Sequence, residues 1–256
     1  MRTSIAMALA LAATALGGCA SAHELARPAG IARSGLINDP KTVSRLEKSL
    51  TDRDIARMLD VDVRAKLPTT VAVARLESRC RGYQPYLATV DAEELNAWRT
   101  CLAGVEHVRG VHPVSPLTHA QADRPTLHSL RVAAAKLNCE LLLVYLQADS
   151  SVDNFNDAAA LYWTFVGLWV VPGNVYEHRT VMQALLVDCR TGVVLGTATG
   201  DSHQKQVYAA AYEKIAKGKL SARAPAEALA DLHKASRDLL TRTVRAAQAR
   251  PPRRSG

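Results

Sequence analysis

The sequence predicts an α/β domain: a mixed sheet that ends in an antiparallel hairpin, helices that cover it, and an apolar aromatic insert. First, segments of helical periodicity separate the apolar runs at 69–77 and 141–146, which is typical of α/β sheets. Second, the runs at 179–188 and 193–199 flank a Cys-Arg-Thr-Gly turn, which predicts a hairpin. Third, the uncharged segment at 158–171 interrupts a polar stretch and fits neither pattern.

The domain is predicted to begin with short helices that precede a central strand. Asp39-Pro40 and Thr51 mark two helix starts, because capping residues stand there before apolar residues at helical spacing. The run at 69–77 is rich in β-branched residues and apolar on both faces apart from Arg75. Such a strand is usually covered on both sides, so we expect it inside the sheet.

The middle of the chain alternates between predicted helices and strands. Asp91 and Glu94 have the spacing of a capping box, which predicts a helix that stops near Gly104. A short strand over 107–114 follows, and two prolines limit its length. An apolar stripe at helical spacing then predicts a helix over 127–137.

The second half of the chain contains the clearest strands. The run at 141–146 is apolar throughout, which predicts burial on both faces. The hairpin of 179–188 and 193–199 comes after the aromatic segment. Two helices, over 205–216 and 224–247, are predicted to close the domain, and leucines at helical spacing form the buried stripe of the second.

The first nineteen residues predict export and lipid anchoring. A short basic start and an apolar run of signal-peptide length precede small residues and Cys19. The stretch Leu16-Gly17-Gly18-Cys19 resembles the lipobox of bacterial lipoproteins. That resemblance implies cleavage after residue 18, a diacylglycerol thioether on Cys19 and N-acylation by a fatty acid such as palmitate. Ala20 and Ser21 follow in place of an aspartate, which favours the periplasmic face of the outer membrane.

The remaining chain divides into a tether, one domain and a tail. Residues 19–38 mix small and polar residues with proline and glycine, which is typical of a linker. A single α/β periplasmic domain is predicted over 39–247, with the apolar insert at 155–177, followed by a basic disordered tail at 248–256. Basic residues number 12 and acidic residues 5 over 201–256, so this region holds most of the net charge of +8.

The basic tail admits two interpretations, contact with anionic lipid headgroups or a solvated chain end. Nucleic acid is not expected as a partner, because the chain is predicted to be exported and lacks aromatic residues interleaved with basic ones.

Four further cysteines are candidates for disulfides in an oxidising compartment: Cys80, Cys101, Cys139 and Cys189. Four cysteines allow three pairings. If Asp149 lies opposite Arg179 in a pair of antiparallel strands, Cys139 faces Cys189, and Cys80 is left to pair with Cys101. Buried free thiols are the alternative, because cysteine also packs as a small apolar residue.

No motif of the chain predicts catalysis, a metal site or a cofactor. Gly200-Asp201-Ser202-His203 resembles the Gly-Asp-Ser triplet of one lipase class, but that triplet follows the first strand of its domain, whereas this one follows the last. We therefore interpret Ser202 as a helix cap before Val207. The histidines show no metal-ligand spacing, and glycine-rich phosphate loops and Gly-x-Ser-x-Gly are absent from the sequence. The chain is predicted not to be an enzyme.

The apolar segment at 158–171 is the candidate contact site, and its aromatic residues are Tyr162, Trp163, Phe165 and Trp169. As a helix it would be about 21 Å long, too short for a hydrocarbon core of about 30 Å. As a strand it would be apolar on both faces, whereas a pore lining needs a polar face. Three interpretations of the segment remain. It covers the edge of its own sheet, docks on a partner or sister subunit, or lies among lipid headgroups.

Several strings together carry a resemblance to a known family: LPTTVAVARLE, LNCELLLVYLQ and MQALLVDCRTGVVLGTATGD. Their layout resembles periplasmic lipoprotein domains related to the curli secretion lipoprotein and the penicillin-binding-protein activator lipoproteins. With the lipobox, RSGLIND and the PGN turn, the chain is most similar to the rhombotarget lipoprotein family. The resemblance implies an outer-membrane lipoprotein that recognises other envelope proteins, with no catalytic residues to transfer.

These observations predict a non-catalytic protein-interaction module, held to the membrane by its lipid and contacting an envelope protein. The alternative is an oligomeric lipoprotein associated with secretion or a pore, which would use the 158–171 segment between copies. The curli secretion lipoprotein supplies two amphipathic membrane hairpins per subunit, and this chain departs from that pattern.

Overall fold

The predicted fold class is confirmed by the computed structural model, which describes Arg53 and residues 66–77, 85–118, 125–156, 158–159 and 169–249. The tether and both predicted helix starts near Asp39 and Thr51 lie outside the described residues. Six strands form one mixed sheet, and helices pack against it. In the described part of the chain, no helix combines the length and the apolar character that crossing a membrane requires.

The described strands and helices follow one another in the predicted order, except that the short strand β2 between the first strand and the first helix was not predicted. The strands are β1 (Thr69–Glu77), β2 (Tyr86–Ala88), β3 (Val108–Pro113), β4 (Leu141–Phe155), β5 (Asn174–Asp188) and β6 (Val194–Tyr208). The helices are α1 (Ala92–Leu102), α2 (Leu127–Lys136) and α3 (Glu213–Ala249). Short 3-10 turns lie at Pro116–Thr118 and Ala210–Tyr212.

The sheet has a parallel part and an antiparallel part. Strand β1 pairs in parallel with β4 on one side and with β3 on the other, where β2 also pairs with its last residues. Beyond β4 the order continues through β5 to β6, and both of these pairings are antiparallel. Among the described strands β6 therefore lies at the edge of the sheet, while β1 lies inside it as the sequence predicts.

The core divides between the two faces of the sheet. Helices α1 and α3 cover one face, where Trp98, Leu232 and Leu240 pack on Leu143 and Leu186. The shorter α2 covers part of the other face through Leu130, Ala133 and Ala134. Because successive residues of a strand point to opposite faces, the apolar run of β4 supplies both cores.

Side chains cap the first two helices. Asp91 accepts a hydrogen bond from the backbone N–H of Glu94 at 2.8 Å, as the predicted capping box requires. The side chain of Glu94 does not complete the box, because it turns into the fold. Thr126 and Ser129 form a complete capping box at the start of α2, which the sequence analysis did not identify.

The predicted helix over 205–216 is wrong for its first residues. Strand β6 continues to Tyr208, because its alternating residues pair with β5 as far as Asn174. The predicted break between two final helices is also wrong, since α3 is one helix of 37 residues that contains Pro225. Its buried residues at four-residue spacing, which include Ala224 and Ala228, pack on the sheet on both sides of the proline.

The register of the central hairpin differs by one residue from the one assumed for the cysteine argument. Asp149 pairs with Thr180, whereas the predicted pairing of Cys139 with Cys189 requires Arg179 opposite Asp149. Beyond the end of β5, the backbone N–H of Cys189 donates to the carbonyl of Glu140 at 2.9 Å. Cys189 therefore lies beside Glu140, the residue that follows Cys139.

Helix α3 crosses β6 at Gly200 with almost no space between the two backbones. A Cβ atom added at Gly200 would lie 2.1 Å from the carbonyl oxygen of Ala228 and 2.4 Å from the backbone nitrogen of Leu232. Both atoms belong to a helix backbone, which cannot rotate away as a side chain does. Glycine is thus required at the first position of the Gly-Asp-Ser triplet for packing.

We expect Gly200→Ala to destabilise the protein by about 2–3 kcal/mol, because the helix must shift away from the sheet. Gly218→Ala is the matched control, since an added Cβ there meets nothing within 4 Å. In the middle of a helix that change stabilises by about 0.5–1 kcal/mol. Thermal and urea unfolding would measure both, and equal stability of the two variants would contradict the close approach.

Candidate functional site

The outer halves of three strands extend beyond the core as an antiparallel ribbon. We call residues 148–155, 174–181 and 201–208 the ribbon. None of these residues belongs to the core cluster that α2 forms on its side of the sheet. No described helix packs on the face of the ribbon opposite α3, and we call this face the open face.

Ion pairs connect the strands across the open face. Arg179 binds Asp201 through both carboxylate oxygens, and this bond raises the pKa of the arginine. Lys205 lies 2.9 Å from Glu177, and its hydrogen bond holds the pKa of that carboxyl below the ordinary value. His203 lies 3.5 Å from the same carboxylate. The open face therefore presents fixed charges of both signs.

Strand β6 forms the outer edge of the ribbon. In the described part of the chain, β5 is its only neighbouring strand. The N–H of Asp201 points away from β5 and donates to the carboxylate of Asp231 on α3 at 3.3 Å. Because the backbone groups of a strand alternate in direction, those of His203, Lys205 and Val207 point the same outward way. These three residues form an open edge between Asp201 and the end of the strand.

Polar side chains lie on the α3 side of the ribbon. Thr180 is fully buried and donates to Asp149 at 2.6 Å, and His178 lies 3.4 Å from the same hydroxyl. Tyr176 lies 3.3 Å from the other ring nitrogen of His178 and stacks on the ring. Each of these buried groups thus has a hydrogen-bonding partner, which the interior of a protein requires.

Ser202 is buried in the middle of β6, so its interpretation as a helix cap is wrong. Its hydroxyl donates to Glu227 at 2.9 Å, and Gln204 donates to the same carboxylate. Hydrogen bonds from Arg223 and Ser202 hold the pKa of Glu227 below its ordinary value. A carboxylate with these partners fastens α3 to β6, and among described contacts Ser202 has no histidine beside its hydroxyl.

A buried ionic cluster that the sequence analysis missed joins β1, β4 and α1. Glu94 is 8% exposed and accepts hydrogen bonds from Arg75 at 2.8 Å and from the hydroxyl of Tyr145. Burial and the neighbouring Glu94 raise the pKa of Tyr145 far above its ordinary value. Arg75 also contacts Glu77 at 2.8 Å. The signal in the sequence was Arg75, the single charge within the apolar run of β1 before Glu77.

A cleft of about 300 Å³ lies above this cluster, between α1 and α3. Its lining includes Arg75, Glu93, Glu94, Tyr145, Met182 and Leu229. The arginine is already shared by two carboxylates, so the polar groups at the base of the cleft bind one another. The arrangement stabilises the junction of the sheet with both helices.

Exposed apolar side chains gather at the far end of the ribbon. Phe155, Asn174 and Tyr208 share one row of the sheet, so β4 ends, β5 begins and β6 ends at the same place. One more hydrogen bond follows the last pair of β4 and β5, because the backbone N–H of Asn156 donates to the carbonyl of Gly173 at 2.8 Å. We call this the distal end, and its exposed large apolar residues are Phe155, Trp169, Val170, Val207, Tyr212 and Ile215.

The structure locates one of the four predicted contact aromatics. Trp169 is 52% exposed, and its contact role stays a prediction. Tyr162, Trp163 and Phe165 lie outside the described residues. So does Cys19, the predicted lipidation site, which stays a prediction.

The predicted disulfide cysteines are partly described. Cys139 and Cys189 are free thiols that pack against the same small core beneath α2. Burial and the nearby Cys139 raise the pKa of Cys189 to about 12. Cys101 is a free thiol that donates to the carbonyl of His233, and Cys80 lies outside the described residues. Within the described ranges, no three metal-ligating side chains come together.

Comparisons with known proteins give distant likenesses only. No family model matches the chain, and no curated protein matches it significantly. The resemblance to rhombotarget lipoproteins therefore stays a prediction. The LpoB C-terminal domain from Salmonella enterica is 13% identical with a TM-score of 0.30, over 59% of this chain and 93% of that one.

Two further solved structures have similar scores. A PelC dodecamer from Paraburkholderia phytofirmans, a single-residue variant, is 11% identical with a TM-score of 0.34, over 68% of this chain and 90% of that chain. Protein XCC0632 from Xanthomonas campestris is 8% identical with a TM-score of 0.26, over 72% and 85% respectively. Scores of this size assign no activity or partner to this chain.

We expect Tyr145→Phe to lower the free energy of unfolding by about 1–3 kcal/mol, because the buried Glu94 loses a hydrogen-bond donor. Tyr212→Phe removes the same atom from a half-exposed side chain and should change stability by less than about 0.5 kcal/mol. Chemical denaturation measures both. If the two variants unfold alike, the hydroxyl of Tyr145 does not support Glu94.

The disulfide between Cys139 and Cys189 remains a prediction for the exported protein. We expect peptide mapping of non-reduced chain from the periplasm to recover one peptide that links them, because both thiols lie in the same core. Complete alkylation of both cysteines without a reductant would contradict it. The Cys139→Ser variant, which should leave Cys189 open to alkylation after unfolding, is the control.

Proposed function

We propose that this chain is an outer-membrane-anchored periplasmic lipoprotein that acts as a non-catalytic protein-interaction module of the cell envelope. The anchor is the predicted lipid on Cys19, and residues 19–38 form the tether. If that tether is flexible, its span is on the order of 25 Å. The partner is then a protein that lies close to the membrane.

The observation that carries this proposal is the open edge of β6. Unpaired backbone groups at a sheet edge bind an extended segment of another chain, which adds a strand to the sheet. Natural proteins often block such an edge, and among the described residues Asp231 blocks it at Asp201 alone. The outward groups of His203, Lys205 and Val207 remain for a partner strand.

The open face beside this edge supplies specificity. Side chains of an added strand would lie next to His203 and Lys205, which both contact Glu177. Cross-strand pairs of opposite charge each contribute about 0.2–1 kcal/mol, whereas like charges repel. A partner strand with acidic residues opposite Lys205 fits this pattern best.

A photocrosslinking residue in place of His203, in the full lipidated chain in intact envelopes, tests the proposal. We expect a protein adduct from this position and none from Glu106, which is exposed at the opposite end of the sheet. Lys205→Pro removes one outward N–H from the edge, so it should abolish the adduct. Lys205→Ala, which keeps that N–H, should retain it.

The other outcomes of the crosslinking experiment also test whether a partner binds at the edge of β6. Adducts from both positions alike, or from neither, contradict an edge-specific partner. An adduct of the chain with itself would favour the alternative, an oligomeric lipoprotein associated with secretion or a pore. Cys19→Ser should abolish incorporation of labelled palmitate into the chain, and unchanged labelling would contradict the anchor.

A further inference from the structure

We propose that the distal end docks on an anionic lipid bilayer. Its apolar side chains are unusually accessible: Phe155 is 74% exposed, Val170 71% and Ile215 58%. Large exposed apolar groups that gather in one place mark a protein or membrane contact. Tryptophan and tyrosine prefer the headgroup region of a membrane, and Trp169 and Tyr212 stand among these residues.

Lysines at the start of α3 supply the charge that the aromatic segment lacks. Lys214 and Lys219 are exposed, and neither forms an ion pair with a described carboxylate. Lys217 lies between them and is held by Asp153 at 2.8 Å and Glu213 at 2.7 Å. The two outer lysines are thus placed to meet lipid phosphates.

The first turns of α3 combine apolar and basic groups on one side. Ile215 and Lys219 are four residues apart, so they are neighbours on one face of the helix. Ala216 and Leu220 lie about 100° further round the helix, where they pack onto Tyr176 and Tyr208 of the ribbon. A lysine one turn above an apolar residue inserts its stem while its ammonium stays at the phosphates.

Charge decides between a bilayer and a second copy of this chain. Two copies that met at their distal ends would bring Lys214 and Lys219 of each close together, and like charges repel. An anionic bilayer attracts the same lysines, each contributing about 1 kcal/mol near the surface. The lipid surface is therefore the occupant that fits.

Vesicle binding of the chain without residues 1–19, which keeps every described residue, tests this proposal apart from the anchor. We expect it to sediment with phosphatidylcholine vesicles that contain phosphatidylglycerol, and less with phosphatidylcholine alone. Ile215→Ser should weaken binding about tenfold. Lys214→Gln and Lys219→Gln should each weaken it roughly fivefold, and only on anionic vesicles.

Matched controls come from exposed residues elsewhere. Leu117→Ser and Lys234→Gln change an exposed aliphatic residue and an exposed lysine away from the distal end, and both variants should bind vesicles as the parent chain does. Equal loss in the controls would overturn the proposal. So would absent vesicle binding combined with a protein adduct from a crosslinker at Trp169, which would assign the distal end to a protein. The adduct from His203 tests the edge independently, so the two proposals fail separately.

Discussion

The close approach of α3 to β6 is the constraint on which the rest of the structure depends. At Gly200 the helix backbone lies where a Cβ would be, so α3 is held along one face of the long antiparallel strands. Hydrogen bonds from Ser202 and Gln204 to Glu227 continue this attachment along the ribbon. One face of the ribbon is consequently covered, while no described helix covers the other face, the edge or the distal end.

The same attachment explains why a polar ribbon holds its shape beyond the main core. Tyr176 and Tyr208 pack with Ala216 and Leu220 of α3, which forms a small second core near the distal end. Lys217 adds a bond from α3 to Asp153 of β4. Helix α3 thereby fixes the position of the distal end relative to the open edge of β6. The proposed function needs such a relation, because the chain would have to face both the lipid and a protein.

The sequence predicted the central strands because long apolar runs leave few alternatives, as in 69–77 and 141–146. It predicted too little of the ribbon, since 148–155 and 201–208 are mostly polar and resemble loop or helix composition. It predicted two helices, over 205–216 and 224–247, where packing on the sheet keeps α3 continuous through Pro225. The cluster of Arg75, Glu94 and Tyr145 comes from three separate elements, so spacing along the chain does not reveal it.

The central claim is that the edge of β6 and the distal end are contact surfaces. Hydrogen–deuterium exchange of the lipidated chain in native envelope vesicles, compared with the soluble chain, tests it most directly. If the edge of β6 and the distal end contact a protein and the membrane, amide exchange at 201–208 and 210–215 should be slower in the envelope vesicles than in the soluble chain. Exchange at 69–77, inside the sheet, should stay unchanged. Equal exchange of 201–208 and 210–215 in both preparations would contradict the account.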